Sequence, residues 1–479
     1  MKLAFVVDHF HRDLNGYLAL INKILEEKNI DIYLINLYHI YEVYLIDADI
    51  IVLQNLRPEN IFIAKDLKRL NKKIIVIDNE GVPFGWTSGN DHIEQFSENL
   101  SKNLKHVDAY IVWGEYIRKL LDTKKIDINK VYVLGNQRFE LFKNKYSYLY
   151  SKRKTSQKAI VVNTNFPNSN PNYTLKKLDK ADLEKKMYYD SKDKNKLVKE
   201  YLSNSDVIFN NYTVFLKKLI NDFQDLKIIL NVHPFEGKEH YKKIFSEEKN
   251  VLILKNNFLL PQLYLNYDFI INYNSTTCAE TLLSNKKSLS VNFVDPNNIQ
   301  NKYYNNFSIP FQNYDDLKKF INNYEISKKK LSDIDVEIKN SLNFLYNNAN
   351  NDALSLISNA LNNINVIKDE KKVKLTTKYF LFFKYFIFFS YDKINLFKVP
   401  LRIFKLIIIF ILNSNNFYLL KEKIFENYKK KHFSIKKIDL FFKKLNKNRL
   451  EKKKINYSKP SILRFLFRHL IVIKINKYL

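Results

Sequence analysis

The sequence predicts an α/β protein of two units, each a mainly parallel β-sheet covered by helices, followed by a basic helical tail. Three observations predict it. Short runs of Ile, Val and Leu recur through residues 1–142 and again through 159–291, with helix-type periodicity between several of them. The runs are apolar throughout rather than alternating, which marks strands buried on both faces. A polar and basic interruption, KNKYSYLYSKRKTSQ at 143–157, separates the two series.

In the first series the expected strands are Leu3–Val7, Ile32–Ile35, Ile50–Leu53, Ile74–Ile77, Ala109–Val112 and Val131–Leu134. Leu14–Leu25 and Ile93–Leu104 carry the 3.6-residue pattern of covering helices. In the second series the runs are Ala159–Val162, Ile228–Leu230, Val251–Leu254, Phe269–Ile271 and Leu289–Val291. Residues 315–362 read as closing helices, and about 168–205 as a polar, partly mobile insertion. The expected domains are therefore 1–150, 151–365 and 366–479. No sequence repeat relates the first two.

Charge separates the tail from the body. The chain of 479 residues has 79 Lys+Arg against 50 Asp+Glu, a net +29, and residues 371–479 alone hold 28 against 5. A single cysteine, Cys278, excludes a disulfide framework and a cysteine-rich metal site. The first residues, MKLAFVVDHF, reach Asp8 too soon for a signal peptide and read as a buried strand. Abundant Lys, Asn, Ile, Tyr and Phe suit an AT-rich genome, so the asparagines receive no functional weight here.

Seven glycines occur, all before residue 238, and several follow expected strands. Ligands of open α/β sheets bind beyond the carboxyl ends of strands, so these glycines outline a candidate cleft. Four segments there carry chemistry. The run IIVIDNEGVPFGW places Asp78, Glu80 and Gly81 at a strand end, where an ionised carboxylate suits a general base; an ordinary polar turn suits the residues equally. NVHPFEG sets His233 before Pro234, the residue expected to open a helix, with Glu236 following. That His is placed to meet an anion, or simply to cap. INYNSTTCAE offers Ser275, Thr276 and Thr277 as a phosphate cradle, while Thr277 to Glu280 also fits a capping box. Cys278 reads as a small buried residue. VYVLGNQRFELF gives Asn136 and Arg138 for substrate or for fixing the loop. Asp47-Ala48-Asp49 and Asp333-Ile334-Asp335 match the DxD pattern only formally, and no metal is implied.

In this order the segments resemble the bacterial surface carbohydrate biosynthesis protein family. The matching stretches are DNEG (78–81), VWGEY (112–116), GNQRFE (135–140), NTNFPN (163–168), NVHPFE (231–236) and NSTTCAE (274–280), across roughly residues 1–300. Gln137 stands where proline is usual, and Asn231 where a basic residue often precedes the HP pair. The acidic-glycine, HP and Ser/Thr motifs are also similar to those of GT-B sialyltransferases and Kdo transferases, which use CMP-activated sugars. The resemblance implies a GT-B architecture of two Rossmann-like lobes with an interlobe cleft, an acceptor lobe followed by a nucleotide-sugar lobe. It implies Glu80 as base, with Asp78 as second choice, and His233 on the donor phosphate. Pro234 and Glu236 would complete that loop, and Ser275, Thr276 and Thr277 would bind the phosphate. Glu280 would bind the ribose or cap its helix, and Gly81, Asn136, Arg138 and Asn165 would line the cleft. It implies metal-independent transfer with no cofactor beyond the nucleotide-sugar substrate.

KYFLFFKYFIFF (378–389), VPLRIFKLIIIFIL (399–412) and Ser458–Leu479 mix apolar residues with Lys and Arg. A span needs about 20 apolar residues, and the charges interrupt these too often. They suit helices lying on an anionic membrane, or else a packing module; the lysine-Phe-Ile composition without glycine favours lipid over nucleic acid. The expectation is a cytoplasmic glycosyltransferase, peripheral on the inner face of the membrane, acting on a glycan or lipid-linked acceptor. Alternatives are a CDP-alcohol glycerophosphotransferase-like enzyme, a sugar-nucleotide epimerase and a non-catalytic scaffold of polysaccharide assembly.

Overall fold

The computed structural model describes residues 1–7, 10–28, 30–44, 46, 48–56, 58–81, 100–126, 128–150, 158–167, 169–171, 192–233, 236–254, 260–295 and 307–364; in the tail it describes 377, 381, 438, 440–441, 444–445, 454–458 and 472–476. Fourteen strands are described. They are β1 Lys2–Val7, β2 Asp31–Asn36, β3 Ile50–Leu53, β4 Lys73–Ile77, β5 Ala109–Val112, β6 Val131–Val133, β7 Ala159–Asn163, β8 Lys227–Asn231, β9 Val251–Ile253, β10 Phe269–Asn272, β11 Ser288–Val291, β12 Ser308–Phe311, β13 Lys454–Ser458 and β14 Val472–Asn476. Every expected strand is present within a residue or so. The chain divides into two compact units. One holds Met1–Val82, Phe96–Arg138 and Asn351–Leu479, and the other is built on Phe139–Asn350.

The sheet of the first unit runs β13-β14-β2-β1-β3-β4-β5-β6, and its six body strands are parallel. Both faces of β1, β3 and β4 are sealed, since Ala4, Phe5, Ile51, Val52, Ile75 and Val76 are all buried. The helix Phe10–Glu27 packs Tyr17, Leu18, Ile21, Ile24 and Leu25 inward. The sheet of the second unit runs β12-β11-β10-β7-β8-β9 and is wholly parallel. One face packs against the 31-residue helix Lys192–Asp222 through Tyr212, Phe215, Leu216 and Leu219. Each unit is thus built on a mainly parallel α/β sheet, as the sequence predicts. Strand order reverses between β1 and β3 in the first sheet and between β7 and β10 in the second. Both reversals create the switch points at which open sheets bind ligands.

Three expectations are corrected. The helix Lys192–Asp222 begins inside the stretch read as a polar insertion, so its latter part is regular structure. The tail is not helical throughout: β13 and β14 pair antiparallel, and β14 pairs antiparallel with β2 through Ile473↔Leu34 and Ile475↔Ile32. The alternation in VIKIN is a strand period, and pairing it with β2 removes an open edge. The aromatic segments 378–389 and 399–412 lie almost wholly outside the described residues. Finally, the chain changes unit at 138/139 rather than at 150, and returns at 350/351. The helix Ala353–Asn362 therefore belongs to the first unit. Ser358 Oγ and Asn362 Nδ2 both donate to Glu27 Oε2, at 2.6 and 2.8 Å. Among the described residues no helix is long and apolar enough to cross a membrane.

Candidate active site

In the first unit the polypeptide leaves β4 into the turn Asp78–Gly81, beside the switch point. Asp78 is buried, and its carboxylate is fully engaged in building the turn. Its Oδ1 accepts from the Glu80 and Gly81 backbone N–H groups at 2.9 and 3.2 Å, and its Oδ2 accepts from the Tyr110 hydroxyl at 2.6 Å. The Asp78 carbonyl accepts from Trp113 Nε1 and Asn136 Nδ2. Asn79 points into the unit, where its Nδ2 donates to the Tyr17 hydroxyl at 3.0 Å. Its Oδ1 accepts from Asn136 Nδ2 at 2.8 Å and Gln137 Nε2 at 3.1 Å. A proline at 137 would lack that donor.

Gly81 closes the turn with φ +71° and lies against the Trp113 ring, leaving no space for a Cβ. Glu80 is different. Its side chain is 25% exposed, and Oε1 accepts from Arg12 Nη2 at 3.1 Å. Arg12 also grips buried Asp13 bidentately, from Nε at 2.8 Å and Nη2 at 2.9 Å. Arg138 reaches Asp13 Oδ1 with Nη1 at 3.5 Å and lies over the Trp113 ring. Gly16 allows this approach, since a Cβ there would stand 2.8 Å from the Arg138 Cα. The turn thus presents one accessible carboxylate, Glu80, held by a buried frame. Of the two candidate carboxylates, Asp78 is buried in the turn and Glu80 is partly exposed and paired with Arg12.

Burial pushes the Asp78 carboxyl up to about 6, against the hydrogen bonds from Tyr110, Glu80 and Gly81, which lower it. Its folded value lies above its unfolded value, so the native state binds the extra proton. Stability from this group is present at low pH and lost as pH rises through about 6. From pH 7 to pH 5 the wild-type chain should gain about 1.3 kcal/mol from Asp78. Asp78→Asn should lack that increment, as urea unfolding at the two pH values would show; identical pH slopes would contradict the assignment.

The second unit assembles the other motifs at its switch point. Strands β7, β8 and β10 each end in asparagine: Asn163, Asn231 and Asn272, all buried. Asn163 and Asn231 are register partners. The loops that follow are tied together. Thr164 Oγ1 accepts from the His233 backbone N–H at 3.1 Å, and Asn165 Nδ2 donates to the Asn274 carbonyl at 2.6 Å. Asn165, His233 and Ser275–Thr277 are therefore brought to one place, all partly exposed. Pro234 lies outside the described residues. The helix expected to begin there starts instead at Lys238, after a bridge between Glu236 and Pro171.

Glu236 does not face a ligand. It is fully buried, with Oε1 accepting from Thr164 Oγ1 at 2.7 Å and the Phe166 N–H at 2.8 Å, and Oε2 from the Tyr241 hydroxyl at 2.8 Å. Burial raises its carboxyl, against these hydrogen bonds. Its role is to fix the loops bearing Asn165 and His233. Glu236→Ala should strand three buried donors and cost about 3–5 kcal/mol, read as a fall in the denaturant midpoint; a loss under about 1 kcal/mol would contradict it.

The Ser/Thr segment also departs from expectation. The helix runs Thr277–Leu283 with Thr276 as its cap; Thr276 makes no side-chain cap bond, and Ser275 Oγ accepts from the Thr277 N–H at 3.3 Å. Thr277 Oγ1 donates to Asn272 Oδ1 at the end of β10. The Glu280 side chain is buried in the first turn. Cys278 is buried and its thiol is raised by burial, as suits a packing residue. Among the described residues no group of three or more His, Cys, Asp or Glu could hold a metal. Asp49 accepts from the Lys2 N–H and Asp333 closes a helix, while Asp47 is not described.

Arg12, Asp13 and Tyr110 escape sequence reading because their partners Glu80, Arg138 and Asp78 lie far away along the chain. The strand-end asparagines did have a signal: each closes an apolar run, in AIVVN, KIILN and FIIN. Asn231, the second departure from the family pattern, is one of them.

No family model and no curated protein sequence matches the chain. Solved structures do. The UDP-GlcNAc 2-epimerase from Methanocaldococcus jannaschii is 14% identical with TM-score 0.46, over 76% of this chain and 99% of that one. A variant of the wall teichoic acid polymerase TagF is 12% identical with TM-score 0.48, over 75% and 88%. The UDP-GlcNAc 2-epimerase from Neisseria meningitidis, bound to UDP-GlcNAc, is 11% identical with TM-score 0.47, over 76% and 100%. At these identities the likeness is one of fold and assigns no substrate or reaction.

Proposed function

We propose that the chain is a glycosyltransferase that moves a sugar from a nucleotide-activated donor to a surface polysaccharide or lipid-linked acceptor. The observation that carries this reading is the Asp78–Gly81 turn, in which a buried frame presents Glu80 as the one accessible carboxylate. Glu80 takes the proton of the acceptor hydroxyl. The hydroxyl oxygen bonds to the anomeric carbon, and the bond from that carbon to the phosphate oxygen breaks, its electron pair leaving with the nucleotide. His233 meets the donor phosphate together with Ser275 and Thr276. Thr277, Glu280, Asn136, Arg138 and Asn165 complete the two sets of residues. Proton transfer by a placed carboxylate contributes roughly a hundred- to ten-thousandfold. No metal or cofactor takes part in this scheme.

The motif resemblance favours a CMP-activated nonulosonate as donor. The test is thermal stabilisation of the full chain by CMP, CDP, UDP and GDP. A nucleotide at a hundred times its Kd stabilises by about 2.7 kcal/mol. A shift with CMP that His233→Ala and Thr276→Ala remove supports the reading. A shift with CDP alone would redirect it to CDP-alcohol transfer, and no shift with any nucleotide would contradict it.

The tail is assigned to the anionic inner face of the cell membrane, supported by the 28 Lys/Arg of residues 371–479 and by an attraction of about 1 kcal/mol per basic residue. The chain should float with phosphatidylglycerol vesicles and not with phosphatidylcholine vesicles at 0.15 M salt. Equal flotation with both, or none, would contradict this assignment.

A further inference from the structure

Arg12 holds two carboxylates at once. From the helix Phe10–Glu27 it grips Asp13, its neighbour in sequence, with Nε at 2.8 Å and Nη2 at 2.9 Å. The same Nη2 reaches Glu80 Oε1 at 3.1 Å. The two carboxylates are not equivalent. The Asp13 side chain is 0% exposed and is met a second time by Arg138 Nη1 at 3.5 Å, whereas Glu80 stands 25% exposed on its turn. Asp13 is the fixed partner and Glu80 the movable one.

The shape of the guanidinium turns this difference into a direction. The group is planar, and each terminal nitrogen carries two N–H bonds in that plane. Nε–H and one Nη2–H are spent side by side on the two Asp13 oxygens. That pairing locks the plane and leaves the second Nη2–H one direction, in which Glu80 Oε1 stands. Asp13 therefore aims Arg12, and Arg12 aims Glu80. The Asp78 carboxylate does a different task, since its bonds within the turn are to the Glu80 and Gly81 backbone N–H groups and fix the backbone there.

We propose that Arg12 is the positioning residue of the base: aimed by Asp13, it holds the Glu80 carboxylate where the acceptor hydroxyl meets it. The proposal rests on the reading of Glu80 as general base given above. No proton passes through Arg12; the hydroxyl proton goes to Glu80. Asp13 acts one step further back, through Arg12.

The experiment measures turnover of the full chain with CMP-, UDP- and GDP-activated sugars and anionic vesicles carrying bacterial glycolipid. Arg12→Ala is compared in the wild-type and in the Glu80→Gln background. A residue that acts through Glu80 loses its effect once that carboxylate is gone, whereas a merely structural one costs the same factor in both. Arg12→Ala should lower turnover roughly tenfold to a hundredfold in the wild-type background, the scale of a misplaced reacting group. Beside Glu80→Gln it should cost less than about twofold. Removing Arg12 leaves Asp13 its longer pairing with Arg138, so Arg12→Lys is measured in parallel. Lysine keeps a charge beside Asp13 without the planar fork, and should show the same pattern with a native melting curve. Equal factors in the two backgrounds, or full turnover in both Arg12 variants, would overturn the proposal. Wild-type chain inactive with every donor, or Glu80→Gln as active as wild type, would overturn the reading of Glu80 as base, and this inference with it.

Discussion

Glu80→Gln is expected to lower turnover at least about a hundredfold, the scale of losing a placed acid–base group, while leaving the fold intact. The reason lies in how the turn is built. Glu80 contributes its backbone N–H to Asp78 Oδ1, and a glutamine keeps that bond. Its side chain contacts Arg12 at 3.1 Å, where an amide oxygen can still accept. The substitution therefore removes the proton-accepting carboxylate while keeping an oxygen for Arg12. Asp78→Asn makes the contrast. Asp78 has no free carboxylate oxygen, since Tyr110, Glu80 and Gly81 occupy both. An asparagine can hold the two backbone donors with its oxygen and give a proton to Tyr110, so activity should fall by less than about tenfold. Turnover numbers with matched melting curves would check the pair. Equal losses in both variants would contradict the division of roles between Asp78 and Glu80.

Gly81→Ala should be strongly damaging to the first unit. An alanine at φ +71° meets the left-handed penalty of about 1–2 kcal/mol. The added Cβ would also be driven into the Trp113 ring, and overpacking of this kind costs typically about 1–3 kcal/mol more. Trp113 cannot step aside freely, because its Nε1 donates to the Asp78 carbonyl and Arg138 lies over its ring. Displacing it loosens the frame that presents Glu80. A combined loss of about 2–5 kcal/mol is expected in chemical denaturation, with activity falling alongside. A variant of native stability would show that the turn tolerates a different backbone path.

The strands were legible because most are sealed on both faces, so AFVV, IIVL, AIVV and FII stand out against polar surroundings. The strand Ser308–Phe311 was not. It lies at a sheet edge and contains Pro310, which edges admit and central strands exclude. The tail strands were read as helix because Ile473, Lys474 and Ile475 fit a basic amphipathic face as well as an alternating strand; only the open edge of β2 decides between them. The unit boundary was misplaced because composition marks loops, whereas the chain changes unit inside the short helix Gln137–Glu140. Phe139 there packs edge-on to Tyr346, and Glu140 accepts from Asn348, 208 residues away. At the site, the motif residues were visible as types at strand ends. Which of them face inward was not: Asp78 and Glu236 differ from Glu80 only through partners such as Tyr110, Thr164 and Tyr241. The asparagines were discounted as compositional bias, and Asn163, Asn231 and Asn272 show that bias and role can coincide.

The most direct measurement is nucleotide release coupled to glycan labelling. Full-length chain, anionic vesicles carrying bacterial glycolipid and a panel of CMP-, UDP- and GDP-activated sugars would be incubated and resolved by mass spectrometry. The account predicts that one donor class loses its nucleotide, that the glycolipid gains the corresponding sugar, and that Glu80→Gln abolishes both. Release from no donor, with vesicle binding intact, would contradict it and leave a membrane scaffold as the function.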